Sequence, residues 1–274
     1  PLIAAAERGA DIAFANKECL VCAGDAVLAA VKRGGGKLLH DDSEHNAIFQ
    51  VFDAERPHRV RKLILTASGG PFRQRRRDSL ADVSPKEAVN HPNWSMGAKI
   101  SVDSATMMNK GLERIEAAYL FPVEKERIEI VVHPQSVIHS LVDYVDGSVL
   151  AQLGSPDMTI PVASALAWPD RVPTPAKPLN LAEIGRFDFF DADETQFPAL
   201  RLARESLDEG GLSTCILNAA NEVAVAAFLK GHLPFLDITS VTEHCLDAVR
   251  PNHDGADLGE VMAADKLARD AAWA

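Results

Sequence analysis

The first 39 residues alternate between helical and strand periodicity, and this alternation constrains the fold more than any other feature of the chain. Pro1-Leu-Ile-Ala-Ala-Ala-Glu-Arg-Gly9 carries a helical pattern closed by a glycine stop. Asp11–Ala15 follows as a strand, about Cys19–Lys32 as a second helix, and Lys37-Leu-Leu39 as the start of a second strand. Helix–strand–helix–strand at this spacing predicts an α/β arrangement with a parallel sheet. The intervening Gly34-Gly35-Gly36 ends a helix and precedes a strand, so it is not a phosphate loop. No G-x-G-x-x-G occurs anywhere in the chain. The chain opens on Pro1, already inside a helical pattern, which predicts that further sequence precedes it.

The middle of the chain reads as a sheet backed by helices. Strands are predicted over 60–66, 128–132 and 137–144, the last turning at Val145-Asp-Gly-Ser148 into a return strand over 149–152. Pro169, Pro173, Pro175 and Pro178 then mark a stiff linker. Beyond about Gln196 the pattern is helical, with helices predicted over Ser213–Leu229, Asp237–Val249 and Leu258–Ala272.

Composition excludes several partners. A net charge of −11 argues against a general nucleic-acid or anionic-membrane binder. No apolar run approaches the ~20 residues that span a bilayer. Cys19 and Cys22 form a C-x-x-C within an apolar run, and Cys215 and Cys245 supply no second pair at zinc spacing. Two reduced, half-buried thiols are the simpler reading, and the chain reads as cytoplasmic.

Chemistry concentrates in a few stretches. Ser101-Val-Asp-Ser-Ala-Thr-Met-Met-Asn-Lys-Gly-Leu-Glu113 reads as a loop entering a helix, capped by Asp103 or Ser104. Met108, Leu112, Ile115 and Tyr119 recur at helical spacing, while Asn109 and Glu113 share another face. Hydroxyls, an amide, an ammonium and a helix N-terminus suit a phosphate, and Glu113 adds a metal-type carboxylate; an amphipathic helix with a polar cap is the bland alternative. His40-Asp41-Asp42-Ser43-Glu44-His45-Asn46 gathers polar groups at a strand end. If extended, it points Asp42 and Glu44 the same way, as a hard cation would need; a charged loop capping a helix remains open. Lys17, within Ala15-Asn16-Lys17-Glu18, lies where open α/β sheets place ligand contacts, although an ordinary solvated turn is the simpler reading of these residues alone. Ser68-Gly69-Gly70 offers an anion nest. Residues 69–98 read as a long polar lid ending in His91, Trp94 and Met96.

Asp42-Ser-Glu-His-Asn-Ala47, Ser68-Gly-Gly-Pro-Phe72, His91-Pro-Asn-Trp-Ser-Met-Gly97 and Lys99-Ile-Ser-Val-Asp-Ser-Ala-Thr-Met-Met-Asn-Lys-Gly-Leu-Glu113 closely resemble the 1-deoxy-D-xylulose 5-phosphate reductoisomerase family. His133-Pro-Gln-Ser-Val-Ile-His139, Ala167-Trp-Pro169 and Asn218-Ala-Ala-Asn-Glu222 extend the match across essentially the whole chain. The resemblance implies rearrangement of the phosphosugar to a branched aldehyde, reduced by NADPH to 2-C-methyl-D-erythritol 4-phosphate on the non-mevalonate route to isoprenoids. It implies a Mg²⁺, Mn²⁺ or Co²⁺ cofactor and a homodimer. Asp42, Glu44 and Glu113 match the metal ligands. Ser68, Ser104, Asn109 and Lys110 match phosphate contacts, and Lys17, Ser43 and His91 match residues around the sugar. His45 and His139 match site histidines, Trp94 and Met96 lie on the matching lid, and Asn16, Glu18 and Gly97 match cofactor contacts. His40-Asp41 replace a proline and an apolar residue expected before Asp42.

The resemblance also divides the chain. Residues 1–41 would be the tail of a Rossmann-like NADPH domain whose Gly-rich loop has no counterpart here. Residues 42–168 would be an α+β catalytic domain with the lid at about 69–98, residues 169–195 a linker, and residues 196–274 a helical bundle. Two other readings are a metal-dependent phosphosugar lyase needing no hydride donor, and a catalytically incomplete binding or dimerising module.

Overall fold

A computed structural model describes residues 1–94, 96–250 and 257–274. In chain order the elements are α1 (Leu2–Glu7), β1 (Ile12–Phe14), α2 (Lys17–Gly34), β2 (Leu38–His40), α3 (Ser43–Val51), β3 (Val60–Ala67) and α4 (Pro85–Ala88). Then come α5 (Ala98–Thr106), α6 (Met108–Leu120), β4 (Ile128–Val132), β5 (Ile138–Tyr144), β6 (Val149–Leu153) and α7 (Thr159–Ala167). The remainder is α8 (Leu181–Ile184), β7 (Phe190–Asp191), α9 (Pro198–Glu209), α10 (Ser213–Leu229), α11 (Asp237–Ala248) and α12 (Leu258–Trp273). The α/β expectation holds. Among the described residues no helix is long and apolar enough to cross a membrane.

The chain forms two compact units, each assembled from three stretches. The first comprises Pro1–Lys17, Val27–Ser68 and Ala117–Ala192. In it β1 and β2 pair in parallel, Ile12 opposite Leu38 and Phe14 opposite His40. The triple glycine now has a packing reason: a Cβ at Gly34 would collide with the Ala6 carbonyl. A five-stranded mixed sheet has the order β6-β5-β3-β4-β7, with β3 parallel to β4 and every other pairing antiparallel. Leu63 of β3 lies opposite Ile128 on one side and Val142 on the other. These residues bury with Leu65, Ile48 of α3, Ala117 and Phe121 into one apolar core. Tyr144 ties down the end of α3, its hydroxyl donating to the Val51 carbonyl at 2.7 Å and accepting from the Asp53 N–H at 3.0 Å. The stretch read as a linker, 169–195, contains β7, whose Asp191 and Phe190 pair with Val131 and Val132 of β4.

The second unit comprises Glu18–Ala26, Gly69–Glu116 and Asp193–Ala274. Its centre is α10, buried along most of its length by small residues such as Ala219, Ala220 and Ala224 that let neighbouring helices approach. Val102 and Ala105 of α5 join Ala224, Val225 and Phe228 in a core that also holds Phe72, Leu80, Val83 and Ala88. The stretch expected to be a polar lid is therefore anchored over much of its length by buried apolar side chains. Ser95, inside that stretch, lies outside the described residues.

Candidate active site

Three local expectations change, and each change bears on the candidate residues. Residues 43–51 are helical, not extended, so Asp42 and Glu44 do not project as alternate residues of a strand. Asp42 is the N-cap of α3, its side chain accepting from the Glu44 N–H at 3.1 Å. The capping alternative therefore describes the backbone, while the acidic groups are still gathered at one helix start. Likewise Asp103 and Ser104 cap nothing; they lie within α5. The helix that carries Glu113 starts at Met108, after a break at Met107, which adopts the left-handed conformation with φ of 65°. Lys17 and Glu18 fall in the first turn of α2, two residues earlier than expected, and Ala23 interrupts that helix.

In the first unit the Lys17 ammonium lies 2.6 Å from an Asp42 oxygen, and both side chains are largely buried. Nδ1 of His45 is 3.2 Å from the other Asp42 oxygen. Ser43 donates to Glu44 at 2.6 Å. The unexpected His40 is also accounted for. Its ring packs on Phe49 and Phe121 with centroids 5.3 and 5.4 Å away, and burial pushes its pKa down to about 3. A neutral aromatic ring, not an added charge, thus stands two residues before Asp42. Burial also raises the Asp41 carboxyl, with Asp42 adding to the effect. Ser68 directly follows β3, and His139 is buried on β5. Asn16 occupies the turn between β1 and α2.

In the second unit Ser104 and Asn109 are half-exposed while every other residue from 101 to 110 is buried. The break at Met107 sets Ser104 at the end of one helix and Asn109 and Lys110 in the first turn of the next, beside its positive dipole end. Gly70 adopts a left-handed φ of 66° and lies so close to α5 that a Cβ would sit 2.6 Å from the Ser104 carbonyl oxygen. Glu113, 1% exposed, accepts from Asn109 at 2.5 Å and pairs with the buried Lys110. His91 is half-buried, and burial lowers its pKa. Its Nδ1 accepts the backbone N–H groups of Asn93 and Trp94 at 3.1 and 3.0 Å, so the neutral ring carries its proton on Nε2. Trp94 and Met96 are half-buried, and Gly97 is the exposed N-cap of α5.

Glu18 is held by a residue to which no role had been given. Lys99 Nζ lies 2.9 Å from Glu18 and 2.9 Å from Asp103, which also accepts from Asn221 at 2.8 Å. The Lys99/Asp103 spacing of four was a readable helical pair; the Asn221 contact, from over a hundred residues away, had no local signal.

Asp42 and Glu44 in the first unit and Glu113 in the second each offer carboxylate oxygens, the donor type that a hard divalent cation takes. A Cβ at Gly97 would meet nothing within 4 Å among the described residues, so that backbone leaves room for a bound group.

Comparison with known proteins agrees with this chemistry. A family described as the 1-deoxy-D-xylulose 5-phosphate reductoisomerase C-terminal domain matches residues 38–121, and one described as the DXP reductoisomerase C-terminal domain matches residues 153–271. The 1-deoxy-D-xylulose 5-phosphate reductoisomerase of Rhodospirillum centenum is 59% identical over 269 residues, covering 98% of this chain and 67% of that protein. The one from Caulobacter vibrioides is 56% identical over 272 residues, covering 99% of this chain and 67% of that protein. The solved reductoisomerase of Zymomonas mobilis in complex with NADPH superposes with a TM-score of 0.93 at 50% identity, covering 99% of this chain and 70% of that one. A DOX-P reductoisomerase in complex with NADPH, fosmidomycin and magnesium gives 0.96 at 45% identity, covering 99% and 71%. The chain belongs to the 1-deoxy-D-xylulose 5-phosphate reductoisomerase family.

Proposed function

We infer that the chain serves as an NADP-dependent reductoisomerase, converting 1-deoxy-D-xylulose 5-phosphate to 2-C-methyl-D-erythritol 4-phosphate. The observation that carries the reading is the arrangement around Met107, where half-exposed Ser104 and Asn109, the ammonium of Lys110 and the carboxylate of Glu113 lie on one short stretch. Ser68, Ser104, Asn109 and Lys110 hold the phosphate. Lys17, Ser43 and His91 hold the sugar backbone, with His91 oriented by the two N–H groups on its Nδ1. Asp42, Glu44 and Glu113 hold Mg²⁺, Mn²⁺ or Co²⁺, which supplies Lewis-acid polarisation of the substrate carbonyl when bound. His45 and His139 belong to the same site as proton-handling side chains. Trp94 and Met96 cover the substrate and exclude water. Asn16, Glu18 and Gly97 contact the nicotinamide cofactor. The direct test is NADPH oxidation by the complete protein with phosphosugar, metal or both withheld. Oxidation is expected only with both, and turnover of the sugar without NADPH would overturn the assignment.

Lys110→Ala is expected to raise KM for the phosphosugar by about 10- to 100-fold, because one charge-assisted hydrogen bond to phosphate is lost. An unchanged KM would remove Lys110 from the phosphate site.

The protein acts as a homodimer that pairs through the first unit. Support comes from β6, an edge strand with Val149 and Leu150 exposed beside Val145, since a bare apolar edge invites strand pairing. Sedimentation equilibrium should return a dimer weakened by Leu150→Lys; a monomeric parent protein would refute the pairing.

A further inference from the structure

Lys99 stands between two carboxylates of different character. Asp103 is buried, 1% exposed, and fixed from its far side by Asn221 of α10. Glu18, at the start of α2, is partly exposed, its side chain at 29%. One ammonium therefore serves both acids, at 2.9 Å each. Burial opposes charge on Lys99, but Asp103 and then Glu18 outweigh it and hold the ammonium above its ordinary pKa. Burial pushes the Asp103 carboxyl up, against the pull of Lys99 and Asn221. An ion pair as exposed as Lys99 with Glu18 alone is worth little, because water competes and two long side chains must be held still. The buried end changes this: Asp103 and Asn221 fix the lysine, and the fixed lysine fixes Glu18. Lys99 also lies two residues beyond Gly97, on the same helix.

We propose that Lys99, anchored by Asp103 and Asn221, is a positioning residue that holds Glu18 to the start of the helix capped by Gly97 and so shapes the seat of the nicotinamide cofactor. The proposal rests on the cofactor role of Glu18 and Gly97 given above. Neither Lys99 nor Asp103 touches the reacting atoms. Their loss should weaken the cofactor and spare the sugar.

The test is fluorescence titration of the complete protein with NADPH, alongside steady-state kinetics and thermal melting. Lys99→Met is expected to weaken NADPH binding about tenfold, somewhat below the loss of a direct charged hydrogen bond. Asp103→Asn should do the same. Lys99→Arg should restore affinity to within about threefold, because the cation is kept. KM for the phosphosugar should move less than about twofold in each variant. A purely structural role would instead lower the melting temperature and raise both constants together, and that result would overturn the proposal. So would wild-type NADPH affinity in Lys99→Met with weakened affinity in Glu18→Gln. If Glu18→Gln also binds NADPH normally, the cofactor role of Glu18 fails and the proposal fails with it. Lys99 is about one-third exposed, so its variants keep the test open should Asp103→Asn not fold.

Discussion

Replacing Glu113 with glutamine is expected to lower kcat/KM for the phosphosugar on the order of 10³-fold in the complete enzyme. Loss of a residue that merely supports a metal ligand costs about 10- to 100-fold, and a direct ligand should cost more. The change removes a charge and keeps the shape. Asn109, which donates to one Glu113 oxygen at 2.5 Å, still finds an acceptor, and α6 keeps its buried Leu112 and Ile115. Glu113 also pairs with Lys110, itself 4% exposed. Breaking a buried pair by removing one partner costs up to about 3–5 kcal/mol, so a fall in melting temperature should accompany the kinetic loss. The two effects separate by metal titration. A ligand role requires the metal concentration for half-maximal activity to rise steeply. If Glu113→Gln melts early yet needs no more metal than the parent, Glu113 is only the counter-ion of Lys110, and the metal assignment is wrong.

What the sequence disclosed, and what it hid, follows from where each signal resides. The helix over Ser213–Leu229 was legible to the residue, because a long run of alanine and aliphatic residues ends on Gly231, whose φ is 75°. The Asp146-Gly147 hairpin was equally plain. The break at Met107 was not. A left-handed methionine has no compositional mark, and the apolar spacing through Met108, Leu112 and Ile115 is the same whether the helix starts at 104 or 108. The start of α3 was misjudged although its signal was present. Asp42 as cap, Glu44 in the first turn and buried Ala47 and Ile48 form a helix-start pattern, but two acids spaced by two also fit a strand. β7 was missed because two residues pair with a strand more than fifty positions earlier. The resemblance nominated chemical residues by identity and position. It gave no role to Lys99, Asp103 and Asn221, although all three stand within the matching blocks, and only folding brings Asn221 to the other two.

The second large effect is expected at Phe121, which belongs to none of the motifs. Phe121 is 5% exposed and packs within the sheet core of the first unit. Its ring meets His40 at 5.4 Å, Phe52 at 5.5 Å and, nearly parallel, His45 at 6.4 Å. Phe121→Ala should destabilise the protein by about 3–5 kcal/mol, the lost transfer energy plus the cavity left behind. The cost should not stop at stability. His45 is on α3, one residue beyond Glu44, and His40 ends β2, two residues before Asp42. Removing the ring beneath both lets the start of α3 shift, and ligand geometry tolerates little displacement. Metal affinity should therefore fall although no ligand has been touched. Phe121→Leu, which refills much of the space, should recover most of both losses. Urea unfolding and metal titration of the two variants decide the matter. Loss of stability with unchanged metal affinity would mean that Asp42 and Glu44 are held by their own cap, hydroxyl and lysine contacts alone. Parallel loss and recovery would mean that the aromatic floor is part of the metal site.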